Sequence, residues 1–111
     1  MTDTITLFKA LSDGARLRIV ALLSDAGELC VCDIEKVLGF SQPKVSRHLS
    51  YLKRAGLVRS RRHGVWMYYA LVAQEDHKRR QLLEVLLSMT ASEQSVQQDR
   101  RQLQEVLCTP C

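Results

Sequence analysis

Residues 41–56, SQPKVSRHLSYLKRAG, predict one helix with a signal at each end. A hydroxyl such as that of Ser41 caps a helix N-terminus, and Pro43 fits the first turn because its missing N–H would have no partner there. Gly56 suits the left-handed position just past the end. The apolar positions share one stripe that must face a core: Val45, Leu49 and Leu52.

The face opposite that stripe is small, polar and basic, and it contains no acid. Its members are Pro43, Ser46, Arg47 and Ser50, with Lys44 near the border. Hydrogen-bond donors without an acid suit base edges and phosphates. The alternative, judged on this helix alone, is the solvated face of an ordinary helix.

A basic hairpin is predicted directly after this helix. Residues 57–62 and 65–71 have strand character, and His63-Gly64 predicts the turn between them. No Asp or Glu occurs from Lys36 to Gln74. The same window holds eight of the sixteen Lys and Arg residues, namely Lys36, Lys44, Arg47, Lys53, Arg54, Arg59, Arg61 and Arg62. A surface that only contacts solvent would carry both positive and negative side chains. The absence of acids from this basic window therefore favours a polyanion as partner.

Length and composition indicate one soluble domain. A chain of 111 residues that is 46% hydrophobic can bury a core, and its net charge of +4 fits nucleic acid without requiring a membrane. The apolar runs are far too short to span a bilayer, and the first four residues lack the basic region of a signal peptide. We therefore expect a cytoplasmic protein whose four cysteines are thiols or metal ligands rather than structural disulfides.

The remaining segments predict a mainly α (α+β) fold, a winged helix-turn-helix with a two-stranded β-wing. Helices are expected over residues 4–11, 14–24 and 34–38. Gly39 ends the third, and a tight turn joins it to the 41–56 helix. Phe40 is expected to plug the core between the two.

A further helix is predicted after the wing, with a broad apolar band formed by Leu82, Leu83, Leu86, Leu87 and Met89. We expect dimerisation through the terminal helices, because the apolar surface of this band is larger than one small core can cover. The alternative is that the band packs within its own chain. Residues 1–90 are predicted to form the DNA-binding and dimerisation domain. Residues 91–111 are predicted to be an extension with a weak helix and a mobile tail.

The pair Cys30-Val31-Cys32 is the second chemical signal. Alternate side chains point the same way in an extended segment, whereas on a helix they diverge by about 200°. Shared binding of one ion therefore requires a segment that is extended or only entering a helix. A helix N-terminus favours the thiolate, and two thiolates suit a soft ion. The alternative is a pair of small buried hydrophobic residues.

Three motifs together resemble the ArsR/SmtB family of metal-sensing repressors: ELCVCDI at 28–34, SQPKVSRHL at 41–49 and LKRAGLV at 52–58. The resemblance covers roughly residues 5–90. It implies a homodimeric winged helix-turn-helix that binds double-stranded operator DNA and releases it when a metal or metalloid binds. The ELCVCD segment is most similar to the arsenical-responsive branch, which implies trivalent arsenic or antimony (arsenite or antimonite) as inducer and no organic cofactor.

The predicted metal ligands are Cys30 and Cys32, which belong to the matching motif, and Cys108 and Cys111, which lie outside it. Trivalent arsenic prefers three sulfur ligands, and no third cysteine follows the pair on its helix. The last two cysteines are the only thiols left to supply it, with Cys108 favoured. A cadmium, lead or zinc sensor using all four thiolates, or a thiol-redox switch, remains an alternative within the family.

The residues expected at DNA lie on the 41–56 helix and the hairpin. The helix should present Ser41, Gln42, Lys44, Ser46, Arg47 and His48 to the major groove. The hairpin should present Arg61, Arg62, His63 and Gly64 to the adjacent backbone or minor groove. A dimeric interaction module without a DNA role is disfavoured by the acid-free window. An enzyme is disfavoured because the sequence places no glycine-rich phosphate loop or nucleophile–base set together.

Overall fold

The computed structural model describes residues 1–107, and within them it has six helices and one three-stranded sheet. The helices are α1 (Thr2–Leu11), α2 (Gly14–Ala26), α3 (Val31–Leu38), α4 (Gln42–Arg54), α5 (His77–Thr90) and α6 (Gln94–Leu107). The strands are β1 (Glu28–Cys30), β2 (Val58–His63) and β3 (Trp66–Leu71). The sheet order is β1-β3-β2, and both pairings are antiparallel.

The helix-turn-helix is formed by α3 and α4, and its ends follow the local sequence. Gly39 ends α3 with φ of 70°, a left-handed conformation that glycine adopts without steric cost. The Ser41 hydroxyl then accepts a hydrogen bond from the Lys44 backbone N–H and caps α4. These contacts confirm the predicted start of the 41–56 helix and the tight turn before it.

The core lies between the first four helices and the sheet. The predicted α4 stripe is confirmed, because Val45, Leu49 and Leu52 are fully buried. They pack in one cluster with buried residues of α2 and α3, including Ile19, Leu22 and Ile34. Phe40 is half-buried and packs against this cluster from the turn, as predicted. The inner face of α4 is therefore committed to the core, and only its outer face is available to a partner.

The predicted wing is a β2–β3 hairpin, but the sheet has a third strand. Residues Glu28–Cys30 pair with β3, with Glu28 opposite Ala70 and Cys30 opposite Tyr68. A strand of three residues is too short to show a period-two pattern, so the sequence did not predict it. The consequence is that the segment leading into the cysteine pair is hydrogen-bonded directly to the wing.

Helix α6 is more firmly packed than the weak helix that was predicted. It begins at Gln94 and buries Val96, Leu103 and Val106 against α2 and α3. Asp99 is also buried, and it accepts hydrogen bonds of 2.9 Å from Nε and Nη2 of Arg18 on α2. This acceptor raises the pKa of Arg18. The helix is thus fixed to the domain by both apolar and ionic contacts.

Asp99→Ala is expected to lower the free energy of unfolding by about 2 kcal/mol, because it leaves Arg18 without its charged acceptor. Arg18 is itself partly exposed, so the loss should stay below that for a fully buried pair. Urea unfolding of the two proteins measures the difference. Asp25→Ala is the matched control, since its partner Arg100 is more exposed and the expected loss is about 0–1 kcal/mol. Equal losses would contradict a fixing role for Asp99.

No helix within residues 1–107 is long and apolar enough to cross a membrane.

Candidate DNA interface and thiol site

The outer face of α4 is a polar and basic surface at its N-terminal half. Ser41, Gln42 and Arg47 are exposed, while Lys44 and Ser46 are half-buried. The ammonium of Lys44 lies 3.8 Å from the centre of the Phe40 ring, and the guanidinium of Arg18 lies 5.2 Å from the same ring. A cation–π contact orients a charge without neutralising it. Lys44 is therefore held at the start of α4 as a cation.

His48 does not lie on this outer face, which corrects the prediction that it faces DNA. It is 7% exposed, and its Nδ1 is 3.4 Å from Nη1 of Arg16. Burial lowers the pKa of His48, although the Asp13 carboxylate acts in the opposite direction. Arg16 also donates to the backbone carbonyl of Ala10 and stacks over Tyr51. The buried face of α4 is thus wider than its aliphatic stripe, and His48 packs at the α1–α2 junction.

The hairpin end of the wing is exposed and basic, as predicted. Arg61, Arg62, His63 and Gly64 are all exposed, and Gly64 has φ of 63° in the turn. Lys53 Nζ donates a 2.8 Å hydrogen bond to Ser60 Oγ, which ties the end of α4 to β2. The sequence did not single out this contact. It fixes the wing relative to α4, so both surfaces can meet one duplex.

Arg61 differs from the other wing cations because it has an acidic partner. Its Nη2 is 2.7 Å from Oε1 of Glu28, and its Nε is 3.2 Å from Oε2. The hydrogen bonds between them lower the pKa of Glu28 and raise that of Arg61. Within residues 1–107, Arg47 and Arg62 form no ion pair. The charges of these two predicted DNA-facing arginines are therefore available to phosphates or base edges.

The two cysteines of the pair lie close together where β1 leads into α3. Cys30 ends β1 with extended dihedral angles and precedes the first residue of α3, while Cys32 lies in the first turn of that helix. The two sulfurs are 3.1 Å apart. Cys30 is buried and Cys32 is half-buried. The predicted extended entry into a helix is confirmed, and two converging sulfurs fit a soft, thiophilic ion.

The described part of the chain contains two cysteines, Cys30 and Cys32. No group of three or more His, Cys, Asp or Glu side chains within residues 1–107 could hold a metal ion. Cys108 and Cys111 lie outside the described residues, so the predicted contribution of either remains a prediction. Any third sulfur ligand must come from beyond residue 107 or from another molecule.

An exposed apolar face is formed by α1 and α5. The two helices approach each other at one groove, which Leu7 and Phe8 of α1 line together with Leu82 of α5. No residue of α5 is fully buried. The exposed apolar side chains of this face are Ile5, Phe8, Val85 and Met89. Several large apolar side chains exposed on two helices favour an interaction site there.

Comparison with known proteins assigns the chain to a family. The family described as "Bacterial regulatory protein, arsR family" matches residues 13–60. The arsenic resistance transcriptional regulator ArsR2 of Pseudomonas putida is 43% identical over 81 residues, which cover 73% of this chain and 70% of that protein. The chain belongs to the ArsR family. The match to the family includes α3 and α4, the helix-turn-helix described above.

Other ArsR-family relatives agree with this fold. The arsenical resistance operon repressor of Escherichia coli is 55% identical over 67 residues. That match covers 60% of this chain but only 57% of the relative's length. The AntR antimony-specific transcriptional repressor has a TM-score of 0.66 and 30% identity, with 81% of this chain and 78% of that one covered.

A further solved relative is the homodimeric winged helix-turn-helix DNA-binding domain Mb0332 from Mycobacterium bovis. Its TM-score is 0.67 at 30% identity, and the match covers 83% of this chain and 86% of that one. The ArsR-family chain therefore has the winged helix-turn-helix fold of DNA-binding regulators, and it is not an enzyme.

Proposed function

We propose that the chain is a transcriptional repressor that binds operator DNA as a homodimer and releases it when trivalent arsenic or antimony binds Cys30 and Cys32. The observation that carries this proposal is the pair of sulfurs 3.1 Å apart at the start of α3, the helix that precedes and supports α4. The names of the relatives support the choice of metalloid, since they include arsenical resistance repressors and an antimony-specific repressor.

The DNA-binding surface is the outer face of α4 together with the wing. The helix presents Ser41, Gln42, Lys44, Ser46 and Arg47 to the major groove, and the wing presents Arg61, Arg62, His63 and Gly64 to the backbone or minor groove. Exposure and charge support this assignment for most of these residues. His48 is left out because it is buried. Donor-rich side chains on a helix suit base edges, and unpaired arginines suit phosphates.

Arg47→Ala is expected to weaken operator binding by about 1–3 kcal/mol if its guanidinium contacts a base edge. Arg62→Ala should weaken binding to all DNA sequences alike, because one phosphate contact is lost. It should also reduce by about 1 the slope of the logarithm of the binding constant against the logarithm of the salt concentration. Fluorescence anisotropy over a salt series measures both effects. Arg101→Ala, an exposed arginine of α6, is the control and should bind as wild type does. Wild-type binding by both test variants would show that the assigned face is wrong.

The dimer places two copies of this surface on one side of the molecule. We assign the interface to the exposed face of α1 and α5, which carries Phe8, Val85 and Met89. A two-fold axis through such a face makes the contact self-complementary. It also presents two α4 helices to half-sites about one helical turn, roughly 34–36 Å, apart. The homodimeric M. bovis relative supports dimerisation, and the interface is our assignment.

Release follows from the position of the thiols at a packed junction. Cys30 belongs to β1 and Cys32 to α3, so an ion held by both sulfurs joins the strand end to the helix start. Such an ion changes the 3.1 Å contact that the two sulfurs make in this structure. Ile34 and Val45 transmit a shift of α3 to α4, since both are buried in the same cluster. We assign the third sulfur that trivalent arsenic prefers to Cys108 or Cys111.

The test is release of a labelled palindromic duplex by the reduced protein, titrated separately with arsenite, antimonite, cadmium, lead and zinc. Release by arsenite and antimonite at lower concentrations than by the other ions supports the proposal. Release by cadmium, lead or zinc alone would favour the alternative metal sensor of the same family. A duplex that stays bound with every ion would contradict the proposed switch.

A further inference from the structure

A basic groove lies between α1 and α4, outside the DNA-binding surface assigned above. Thr6 and Lys9 of α1 line it together with Tyr51 and Arg54 of α4. Its volume is about 250 Å³, and no acid is among these lining residues. Two cations from different helices therefore meet at one concave surface, which is called the α1–α4 groove below.

The two cations of the α1–α4 groove have no acidic partner. Within residues 1–107, neither Lys9 nor Arg54 forms an ion pair, and both side chains are exposed. The Arg54 guanidinium lies 5.5 Å from the centre of the Tyr51 ring. A cation–π contact orients this charge without neutralising it, and the guanidinium keeps its N–H donors. The groove therefore offers positive charge and hydrogen-bond donors to an anion.

The walls of the groove are fixed by Arg16 of α2. Its Nη2 donates to the backbone carbonyl of Lys9 at 3.0 Å, and its Nε donates to that of Ala10 at 2.8 Å. Its guanidinium also lies 4.0 Å from the centre of the Tyr51 ring. One side chain thus holds the end of α1 and the aromatic residue of α4 together. An anion that enters the groove meets a preformed site, which lowers the cost of binding.

The position of the groove favours DNA as the source of the anion. Arg47, Tyr51 and Arg54 are spaced at i, i+4 and i+7 on α4, so they lie on one side of the helix. At 1.5 Å per residue, Arg54 lies about 10 Å along the helix axis from Arg47. The groove therefore continues the assigned DNA-binding face toward α1. A DNA strand that passes Arg47 brings further phosphates toward this end of the helix.

We propose that the α1–α4 groove binds one phosphate of the DNA backbone, held by Lys9 from one wall and by Arg54 from the other. The ammonium acts as a compact point charge, and the guanidinium offers a planar set of donors. Such a contact carries no sequence information but fixes the register and orientation of α4 on the duplex. The inference rests on the proposed function, since it adds a contact to the same DNA complex, but it requires no inducer.

The experiment compares Lys9→Gln, Arg54→Gln and the double variant with wild type, by anisotropy of the palindromic duplex over a salt series without inducer. Glutamine keeps the helix propensity and removes only the charge. Each single variant should bind about tenfold more weakly, as expected for a lost hydrogen bond to a charged group. The slope of the logarithm of the binding constant against the logarithm of the salt concentration should fall by about 1.

The double variant tests whether the two cations share one phosphate. Its salt slope should also fall by about 1, and its affinity loss should be smaller than the product of the two single losses. Arg101→Gln removes the same charge from an exposed position on α6 and should bind as wild type does. Analytical ultracentrifugation of Lys9→Gln checks that it remains dimeric, because α1 also carries part of the assigned dimer face.

A second readout locates the phosphate on the DNA. Neutral methylphosphonate linkages replace the phosphates of the duplex one at a time, and each duplex is titrated with wild type and with the two single variants. Wild type should lose affinity at one linkage in each half-site where neither variant loses any more. This linkage should be the same for Lys9→Gln and Arg54→Gln, because both side chains contact one phosphate.

Wild-type affinity and salt slope in both single variants would overturn the inference. Multiplicative losses, with a different silent linkage for each variant, would also overturn it, because the two cations would then bind separate phosphates. Equal sensitivity of the variants and wild type at every linkage would show that the groove contributes only diffuse charge, or binds a free anion, and would overturn it as well. A wild-type protein that does not bind the duplex would instead overturn the proposed function.

Discussion

Val85→Glu is expected to convert the dimer into monomers and to lower operator affinity by about 10²–10⁴-fold, the usual gain from linking two binding modules. Val85 is 57% exposed and lies in the stripe of α5 that also carries the exposed Met89. A carboxylate placed there would have to be desolvated in the assigned interface. Analytical ultracentrifugation and anisotropy measure the two effects.

Leu107→Glu is the matched control for this change. It introduces the same charge at an apolar side chain of similar exposure, 54%, but on α6 instead of the α1–α5 face. The control should remain dimeric and bind operator normally. Leu86 is a poorer site for the test, because it is half-buried and packs against the core of its own chain. A Val85→Glu protein that stays dimeric would place the interface elsewhere.

Cys30→Ser is expected to retain operator binding and to lose release by arsenite. A hundredfold loss of operator affinity on arsenite binding corresponds to a coupling free energy of about 2.7 kcal/mol. Removing one of the two convergent sulfurs should eliminate most of this coupling. The substitution keeps the size of the side chain but replaces a soft donor by a hard one. Anisotropy titrations of bound duplex with arsenite measure the loss.

A second variant guards against a folding defect in this experiment. Cys30 is 4% exposed, so a serine hydroxyl there costs about 1–3 kcal/mol unless it is hydrogen-bonded. Cys30→Ala avoids that polar group and should behave in the same way. Cys32→Ser should also fail to release. Normal release by all three variants would exclude the pair as the inducer site.

Elements whose signals are local could be predicted from the sequence. The start of α4 and the glycine after it are marked within sixteen residues, and the hairpin is marked by its turn and its strand residues. Helix α6 could not be predicted well, because Val96, Leu103 and Val106 form a narrow stripe among polar residues. Its ion pair joins Arg18 and Asp99, which are 81 positions apart. No local pattern contains such a contact.

In the candidate site, too, the features with local signals were predicted and those that depend on distant residues were not. The thiol pair was predictable because its two members are separated by one residue, and the extended entry into α3 follows from that spacing. His48 was misplaced because its partner Arg16 comes from another helix, 32 positions away. The acid that holds Arg61 lies outside the acid-free window and 33 positions from it. The periodicity of apolar residues predicts the faces of one helix or strand at a time. The surroundings of His48 and Arg61 depend on side chains from a second element, so periodicity does not predict them.

The wing also has to avoid pairing with strands of other molecules. With the order β1-β3-β2, the strand β2 is an edge of the sheet, and its outer backbone groups are open to another strand. It carries Arg59, Arg61, Arg62 and His63 along this edge. Like charges repel a second copy of the same edge, and β1 offers only three residues at the opposite one. The cations that suit DNA thereby protect an exposed hairpin against self-association and aggregation.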